Sequence, residues 1–271
     1  MSFNSQLYRQ TWQQLHRRKI ITSTPGIIAP ISLHVYDRLT STNTKLWELI
    51  DNGNKTPVSA IALQQTAGKG QWGHNWVSNS GGLYLSVALV IDLKVDKNPH
   101  LVMSTAWGVA TVLRFYKLPV TIKWFNDLIL EKRKLGGIKI ETRTVNNQLV
   151  KAVVGIGINW RNTVPEVGIN IETYYRDKVH NKIDTLEELT AIVAYGIIYG
   201  YQYYLTVAIE QLLSNYLAIL NNLGQQVTVN NSIGKVTGVT TDGKIKVKLR
   251  SPGASTEIAF APGQISLGYK F

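Results

Sequence analysis

Between Pro57 and Asn159 the chain reads as short apolar or alternating stretches broken by tight polar turns, and this texture limits the fold more than any other feature. Pro57 to Gln64, Leu83 to Ile91, Val120 to Trp124, Asn126 to Leu130, Leu135 to Thr142 and Leu149 to Asn159 all have strand character. Glu131 to Lys134 and Asn146-Asn147 are the turns. Successive strands so joined predict an antiparallel or mixed sheet. Ser32 to Leu39 is a further strand, and Lys45 to Ile50 and Leu101 to Lys117 have helical spacing.

Both ends read differently. Residues 1 to about 20 form an amphipathic helix with Leu7, Tyr8, Trp12, Leu15 and His16 on one face, and Thr22 to Pro30 is a linker. Thr185-Leu186-Glu187-Glu188 is a capping box that opens a helix to about Tyr204, with a second helix from Val207 to Leu220. Beyond Gly224 come five short alternating segments: Gln226 to Val229, Gly234 to Thr240, Lys244 to Leu249, Glu257 to Phe260 and Ile265 to Leu267. Asp242-Gly243 and Pro252-Gly253 supply turns, so this region predicts a small β-barrel. The chain is therefore an α+β protein in three parts: a helix and linker (1–30), a mixed, largely antiparallel sheet flanked by helices (31–223), and the barrel (224–271).

The 271 residues are ample for such a core, and no apolar run approaches the roughly 20 residues of a membrane span. With no signal-like N-terminus, the expected location is cytoplasmic. Cysteine is absent, which excludes disulfides, thiol nucleophiles and thiolate metal sites. The five histidines are scattered, none at metal-ligand spacing. Lys and Arg number 29 against 17 acids, a net +12 that suits phosphate-bearing substrates, an acidic protein partner or nucleic acid. No nucleic-acid-binding signature accompanies the charge.

The most unusual stretch is Gln64-Gln65-Thr66-Ala67-Gly68-Lys69-Gly70-Gln71-Trp72-Gly73-His74-Asn75-Trp76. Its glycines let the backbone approach a ligand, its N–H groups can form an anion-binding concavity, and Lys69 adds charge. Trp72 and Trp76 can cover a flat or apolar ligand. It is not a Walker A loop, because Leu63 stands where the first glycine belongs. Gly68, Gly70 and Gly73 fit a dinucleotide fingerprint, but no helix follows. An ordinary Gly-rich hairpin is the plainer reading of the loop alone.

Other polar groups stand at strand edges and turns. Ser41-Thr42-Asn43 precedes a helix, either as a cap or as ligand-binding hydroxyls and amides. Lys123, Asn126 and Asp127 are costly in an apolar strand unless paired or used, a structural Lys–Asp pair being the plain alternative. Lys134-Leu135-Gly136-Gly137 follows, and Gly155-Ile156-Gly157-Ile158-Asn159 either makes a bulge or leaves room for something approaching closely.

In this order the motifs resemble the biotin protein ligases, from about residue 33 to the end. The resemblance implies a class II synthetase-like catalytic fold with an SH3-like barrel, and a monofunctional type lacking the DNA-binding domain of some relatives. It implies ATP-dependent activation of biotin to biotinyl-5'-AMP with Mg²⁺. Transfer to a lysine of a biotin carboxyl carrier protein, an acetyl-CoA carboxylase subunit, would follow. Ser41, Thr42, Asn43 and Gln65 match positions that hold the ureido ring, and Gly137 and Gly157 give room for ring and chain. Lys69, Gly70 and Gln71 are further biotin-binding candidates, and Lys134 matches the lysine that sits at the biotin carboxylate and phosphate. Gly68, Lys69, Gly73, Trp76, Lys123, Asn126, Asp127, Lys134 and Asn159 match the nucleotide side, with Asp127 also a magnesium ligand. Lys134, Lys123, Asp127 and Lys69 are the candidate catalytic groups.

Two positions depart from the family: Gln71 replaces the second loop arginine, and Phe125 replaces a proline. A lipoate ligase or octanoyltransferase, which shares the fold, is the alternative within enzymes. A basic nucleic-acid-binding protein is the alternative outside them. The sequence leaves the oligomeric state open, a homodimer among the choices.

Overall fold

The computed structural model of the chain describes residues 3–17, 30–176, 182–229, 232–251 and 254–268. In chain order the elements are α1 (Ser5–Arg17), β1 (Ser32–Leu39), α2 (Thr42–Asp51), β2 (Val58–Gln65), β3 (Leu83–Lys94), α3 (Asn98–Phe115), β4 (Thr121–Lys123), β5 (Asp127–Leu130), β6 (Arg133–Val145), β7 (Gln148–Ile158), α4 (Ile171–Tyr175), α5 (Leu186–Thr206), α6 (Ile209–Ala218), β8 (Gln226–Val229), β9 (Ser232–Val239), β10 (Ile245–Ser251) and β11 (Ala254–Phe260).

A seven-stranded sheet runs in the order β1-β2-β3-β7-β6-β5-β4. Only the β1–β2 pair is parallel, and α2 provides its crossover. The other pairs are antiparallel, and Asn146 and Asn147 turn β6 into β7 with φ of 48° and 62°. The sheet is mixed and largely antiparallel, as the strand texture predicts.

The period-2 alternation sorts its two faces. Ile61, Leu85, Val87, Val154 and Ile156 join the main core, which is completed by α3 and α5. Val58, Ala60, Ala88 and Val153 face the other way and pack with Leu46 and Ile50 of α2 as a smaller core. This second face is only partly covered, and the site lies on it. On the first face α1 packs on α5 through Trp12 and Tyr195, ring centroids 5.5 Å apart. Tyr8, Trp12 and Leu15 are buried as the amphipathic pattern predicts, whereas His16 faces solvent. The capping box forms in full: Glu188 N–H donates to Thr185 Oγ1, and Thr185 N–H donates to the Glu188 carboxylate.

The C-terminal region is a four-stranded antiparallel sheet, β11-β10-β9-β8. The expected fifth strand, Ile265 to Leu267, does not form. A turn at Pro262-Gly263, with Gly263 at φ +90°, sends this segment away from β11 and along the mouth of the site. The Pro252-Gly253 turn, most of the Thr22–Pro30 linker and His180 lie outside the described residues. Among those residues no helix is long and apolar enough to cross a membrane.

The four-stranded sheet docks through the turn between β9 and β10. His100 Nε2 donates to the Thr241 carbonyl (2.7 Å), and Trp124 Nε1 donates to the Gly243 carbonyl (3.0 Å). Trp124 N–H also donates to Asn222 Oδ1 (2.7 Å), and Tyr216 OH donates to the Phe125 carbonyl (3.1 Å). The stretch Lys123–Asp127 is therefore held from several sides. Its Trp124–Phe125 peptide is cis.

Candidate active site

A cavity of about 510 Å³ opens on the face that carries α2, within the size range of small-molecule sites. Two glycines of β7 shape its floor. A Cβ on Gly155 would collide with Asn43, lying 2.9 Å from Cγ and 3.2 Å from Nδ2. A Cβ on Gly157 would collide with the Trp76 indole, 2.5 Å from Cε2 and 3.0 Å from Cζ2. These glycines are therefore seats for two side chains, and neither residue sits in a bulge of the β3–β7 or β6–β7 ladders.

One end of the cavity is a neutral polar cluster. Thr42 N–H donates to Gln65 Oε1 (2.8 Å), and Gln65 Nε2 donates to Ser78 Oγ (2.9 Å). Ser86 Oγ lies 2.7 Å from Thr42 Oγ1 and 2.6 Å from Asn43 Oδ1. Asn43 Nδ2 is buried without a hydrogen-bond partner. Such a donor costs about 1–3 kcal/mol unless a ligand acceptor satisfies it. Ser41 occupies the N-cap position of α2 but makes no capping bond with its side chain, so capping does not account for the Ser-Thr-Asn run. Ser86 was not among the sequence candidates. Its one available signal was a hydroxyl at a fully buried position of an apolar strand.

The other end is charged. Asp127, at the start of β5, accepts from Lys134 Nζ of β6 at 2.8 Å and lies 3.8 Å from Lys123 Nζ. Burial is the main reason the Lys123 ammonium titrates below its ordinary value, and Lys134 adds to the shift while Asp127 opposes it. Two cations around one carboxylate leave a positive end suited to an anion. The plain reading of a Lys–Asp pair is thus true of the contacts, but the second lysine exceeds what a structural pair needs. Asn126 Nδ2 donates to the Ile138 carbonyl (2.6 Å), which ties this turn to β6.

The glycine loop forms the roof. It folds back on itself as a short hairpin, with Trp76 N–H donating to the Gly68 carbonyl (2.9 Å) and Gly70 N–H to the His74 carbonyl (2.6 Å). Trp76 lies below Lys134, whose Nζ is 5.3 Å from the ring, and the buried indole N–H has no partner. Gln71 Nε2 donates to the Ile138 carbonyl (3.3 Å). Lys69 donates to Thr44 Oγ1 of α2 (3.2 Å), so it stands apart from the Lys123–Asp127–Lys134 group.

The cavity brings together Ser41, Thr42, Asn43, Gln65, Lys69, Gly70, Gln71, Trp76, Lys123, Asn126, Asp127, Lys134, Gly137 and Gly157. Three candidates do not line it. Gly68 is buried beneath Trp76 and Ser78, and Gly73 is exposed at φ +78°, where it turns the loop. Asn159 is buried beyond the end of β7, where Nδ2 donates to the Lys134 carbonyl (3.2 Å) and Oδ1 accepts from Asn162 (3.1 Å). It positions the Lys134 backbone. As for magnesium, Asp127 is already held by two lysines. The described residues contain no group of three or more His, Cys, Asp or Glu able to hold a metal. The donor set does not fit a resident ion.

Residues 35–159, which contain nearly all of these groups, match the Biotin/lipoate A/B protein ligase family. The chain is 28% identical over 217 residues to the bifunctional ligase/repressor BirA of Bacillus subtilis, covering 77% of this chain and 66% of the relative. It is 33% identical over 159 residues to the BirA of Escherichia coli, covering 52% and 48%. The chain thus spans about half to two thirds of the length of these curated relatives. Among solved structures, a biotin protein ligase from Aquifex aeolicus in complex with biotin and ATP superposes with a TM-score of 0.68 at 22% identity, covering 88% of this chain and 99% of that one. The fold and the ordered motifs agree with this match, and residues 35–159, which build most of the site, are similar to the biotin/lipoate A/B protein ligase family.

Proposed function

We propose that the protein is a biotin protein ligase. It activates biotin with ATP to biotinyl-5'-AMP and then biotinylates a specific lysine of a biotin carboxyl carrier protein. The observation that carries this reading is the polarity of one cavity, with an unsatisfied neutral amide at one end and a two-lysine anion site at the other. A ureido ring presents a carbonyl acceptor and N–H donors, which the Asn43 amide and the Thr42 and Gln65 oxygens complement, with Ser86 buried behind Thr42 and Asn43. A lipoyl or octanoyl tail has no such polar head, and burying these groups against it would leave them unpaired. The lipoate or octanoate alternative is weaker for that reason.

In the first half-reaction a carboxylate oxygen attacks the α-phosphorus and pyrophosphate departs. Lys134 and Lys123 offset the negative charge that meets there, acting where water is largely excluded. In the second, the carrier's lysine amine attacks the acyl carbon and AMP departs with the electron pair of the broken C–O bond. Asp127, between Lys123 and Lys134, would orient that amine or accept its proton. Magnesium belongs in this scheme to the nucleotide substrate, and no step depends on a protein-held ion. Residues 31–223 would carry this chemistry, with residues 224–271 docked beside it. The net charge of +12 fits ATP and an acidic carrier without invoking nucleic acid.

The test is transfer. Purified protein with biotin, ATP, Mg²⁺ and a carrier domain should add one biotinyl mass to one carrier lysine, and none after that lysine is changed to arginine. Modification with lipoate or octanoate in place of biotin would move the activity to the neighbouring branch of the family. No modification with any acid would remove the proposal.

A further inference from the structure

The segment read from sequence as a barrel strand does something else, and its partner is the one loop tryptophan that faces away from the cavity floor. Trp72 is 66% exposed and sits at φ 55°, ψ 32°, a left-handed conformation uncommon for a bulky residue. Its ring lies against Gly263, where a Cβ would stand 3.4–3.5 Å from the indole carbons. Gly263 takes φ +90°, so both sides of this contact use unusual backbone. The turn that carries Gly263 is pinned by Ala261 N–H to Gln264 Oε1 (2.6 Å) and Gln264 N–H to the Ala261 carbonyl (3.1 Å). Beyond it Ile265 packs on the main core and Leu267 is buried. The segment is therefore a wall of the cavity held from its own side, and the glycine loop meets it through Trp72.

We propose that Trp72 and Gly263 form a latch that holds the glycine loop shut over the adenylate, so that the C-terminal region is part of the adenylate site. The proposal rests on the ligase reading and deepens it. An acyl-adenylate must be retained and kept from water between the half-reactions. Gln71 reaches β6 only through a neutral hydrogen bond to a main-chain carbonyl and brings no charge to the phosphate. Closure then depends on apolar contact, and Trp72 supplies it across to Gly263. Trp72 is a positioning residue in this scheme, since it acts by holding the loop.

The experiment combines a ligand-free and a ligand-bound reading of the same variants. Lys69 is exposed on the loop, so native-state trypsin cleavage after Lys69 reports loop opening without any substrate. Trp72→Ala should speed that cleavage about tenfold, and Trp72→Phe should stay near wild type. With biotin and ATP, release of biotinyl-adenylate into solution should rise about tenfold in Trp72→Ala. An alanine Cβ at Gly263 meets the indole at ordinary contact distance but is strained at φ +90°, so Gly263→Ala should shift the turn, raise release in the wild-type background and add nothing in the Trp72→Ala background, where the turn no longer touches the indole. Unchanged cleavage after Lys69 in Trp72→Ala overturns the latch whatever the enzyme's substrate, and so do additive effects in the double variant. Absence of adenylate from the wild type, by contrast, removes the ligase reading and leaves the cleavage test of the latch to be read by itself.

Discussion

Substituting Gly157 by alanine tests the site through a clash of known size. Gly157 is not at positive φ, so alanine can take its place in β7 without backbone strain. The new Cβ would stand 2.5 Å from Trp76 Cε2, against an ordinary carbon contact of about 3.5–4.0 Å. Moving β7 would break its ladders with both β3 and β6, so the indole must give way by roughly 1 Å. A displacement of about 1 Å at a binding surface costs on the order of 10²-fold, or ~2.7 kcal/mol. The loss should fall on ATP, because Trp76 lies beneath Lys134 at the charged end. ATP–pyrophosphate exchange should show kcat/KM for ATP down about 10²-fold, with the melting temperature nearly unchanged. Gly155→Ala provides the contrast: its Cβ meets Asn43, so the loss should fall on the organic acid. If Gly157→Ala keeps wild-type kinetics for ATP, or if the two variants impair the same substrate, the assignment of the two ends is wrong.

Three further outcomes follow from the same geometry. Lys123 offsets phosphate charge only while protonated, and burial lowers its pKa, so kcat/KM for ATP should fall on the alkaline side before pH 10.5. Lys123→Arg should shift that limb upward, and an unchanged limb would remove Lys123 from the phosphate. His100 is held neutral between Tyr204 and the Thr241 carbonyl, and burial lowers its pKa below 6.5. A depressed pKa gives stability that is complete above the unfolded value and is lost as pH falls from 6.5 through the folded one. Acidification below pH 6.5 should therefore lower the melting temperature of wild type more than of His100→Gln, and equal losses would contradict the assignment. Finally, Gln71→Arg should slow escape of the adenylate by about tenfold through a charge-assisted hydrogen bond, measured as release into solution, and an unchanged rate would show that Gln71 does not face the phosphate.

The seven-stranded sheet was legible because its strands are local and its turns carry their own chemistry, as at Asn146-Asn147. The capping box likewise announced α5. Most of the residues that line the cavity were legible as motifs, but the contacts that place them there were not. That Gly155 seats Asn43 and Gly157 seats Trp76 is a cross-sheet fact with no local signal. Ser86 joins Thr42 and Asn43 across more than forty residues, so its hydroxyl looked like one polar step in an apolar strand. Asn159, beside the last glycine motif, looked like a ligand and instead supports the Lys134 backbone. Ile265 to Leu267 alternates like a strand, but pairing depends on the preceding turn, and Gly263 at φ +90° directs the chain elsewhere. Alternation records which side chains are buried and is silent on what covers them.

The most direct test of the central claim is ATP–pyrophosphate exchange by the purified protein with Mg²⁺, comparing biotin, lipoate and octanoate. Exchange should occur with biotin alone, be abolished by Lys134→Met and be strongly reduced by Asn43→Leu. Exchange that proceeds equally with octanoate, or that survives loss of the Asn43 amide, would contradict that claim.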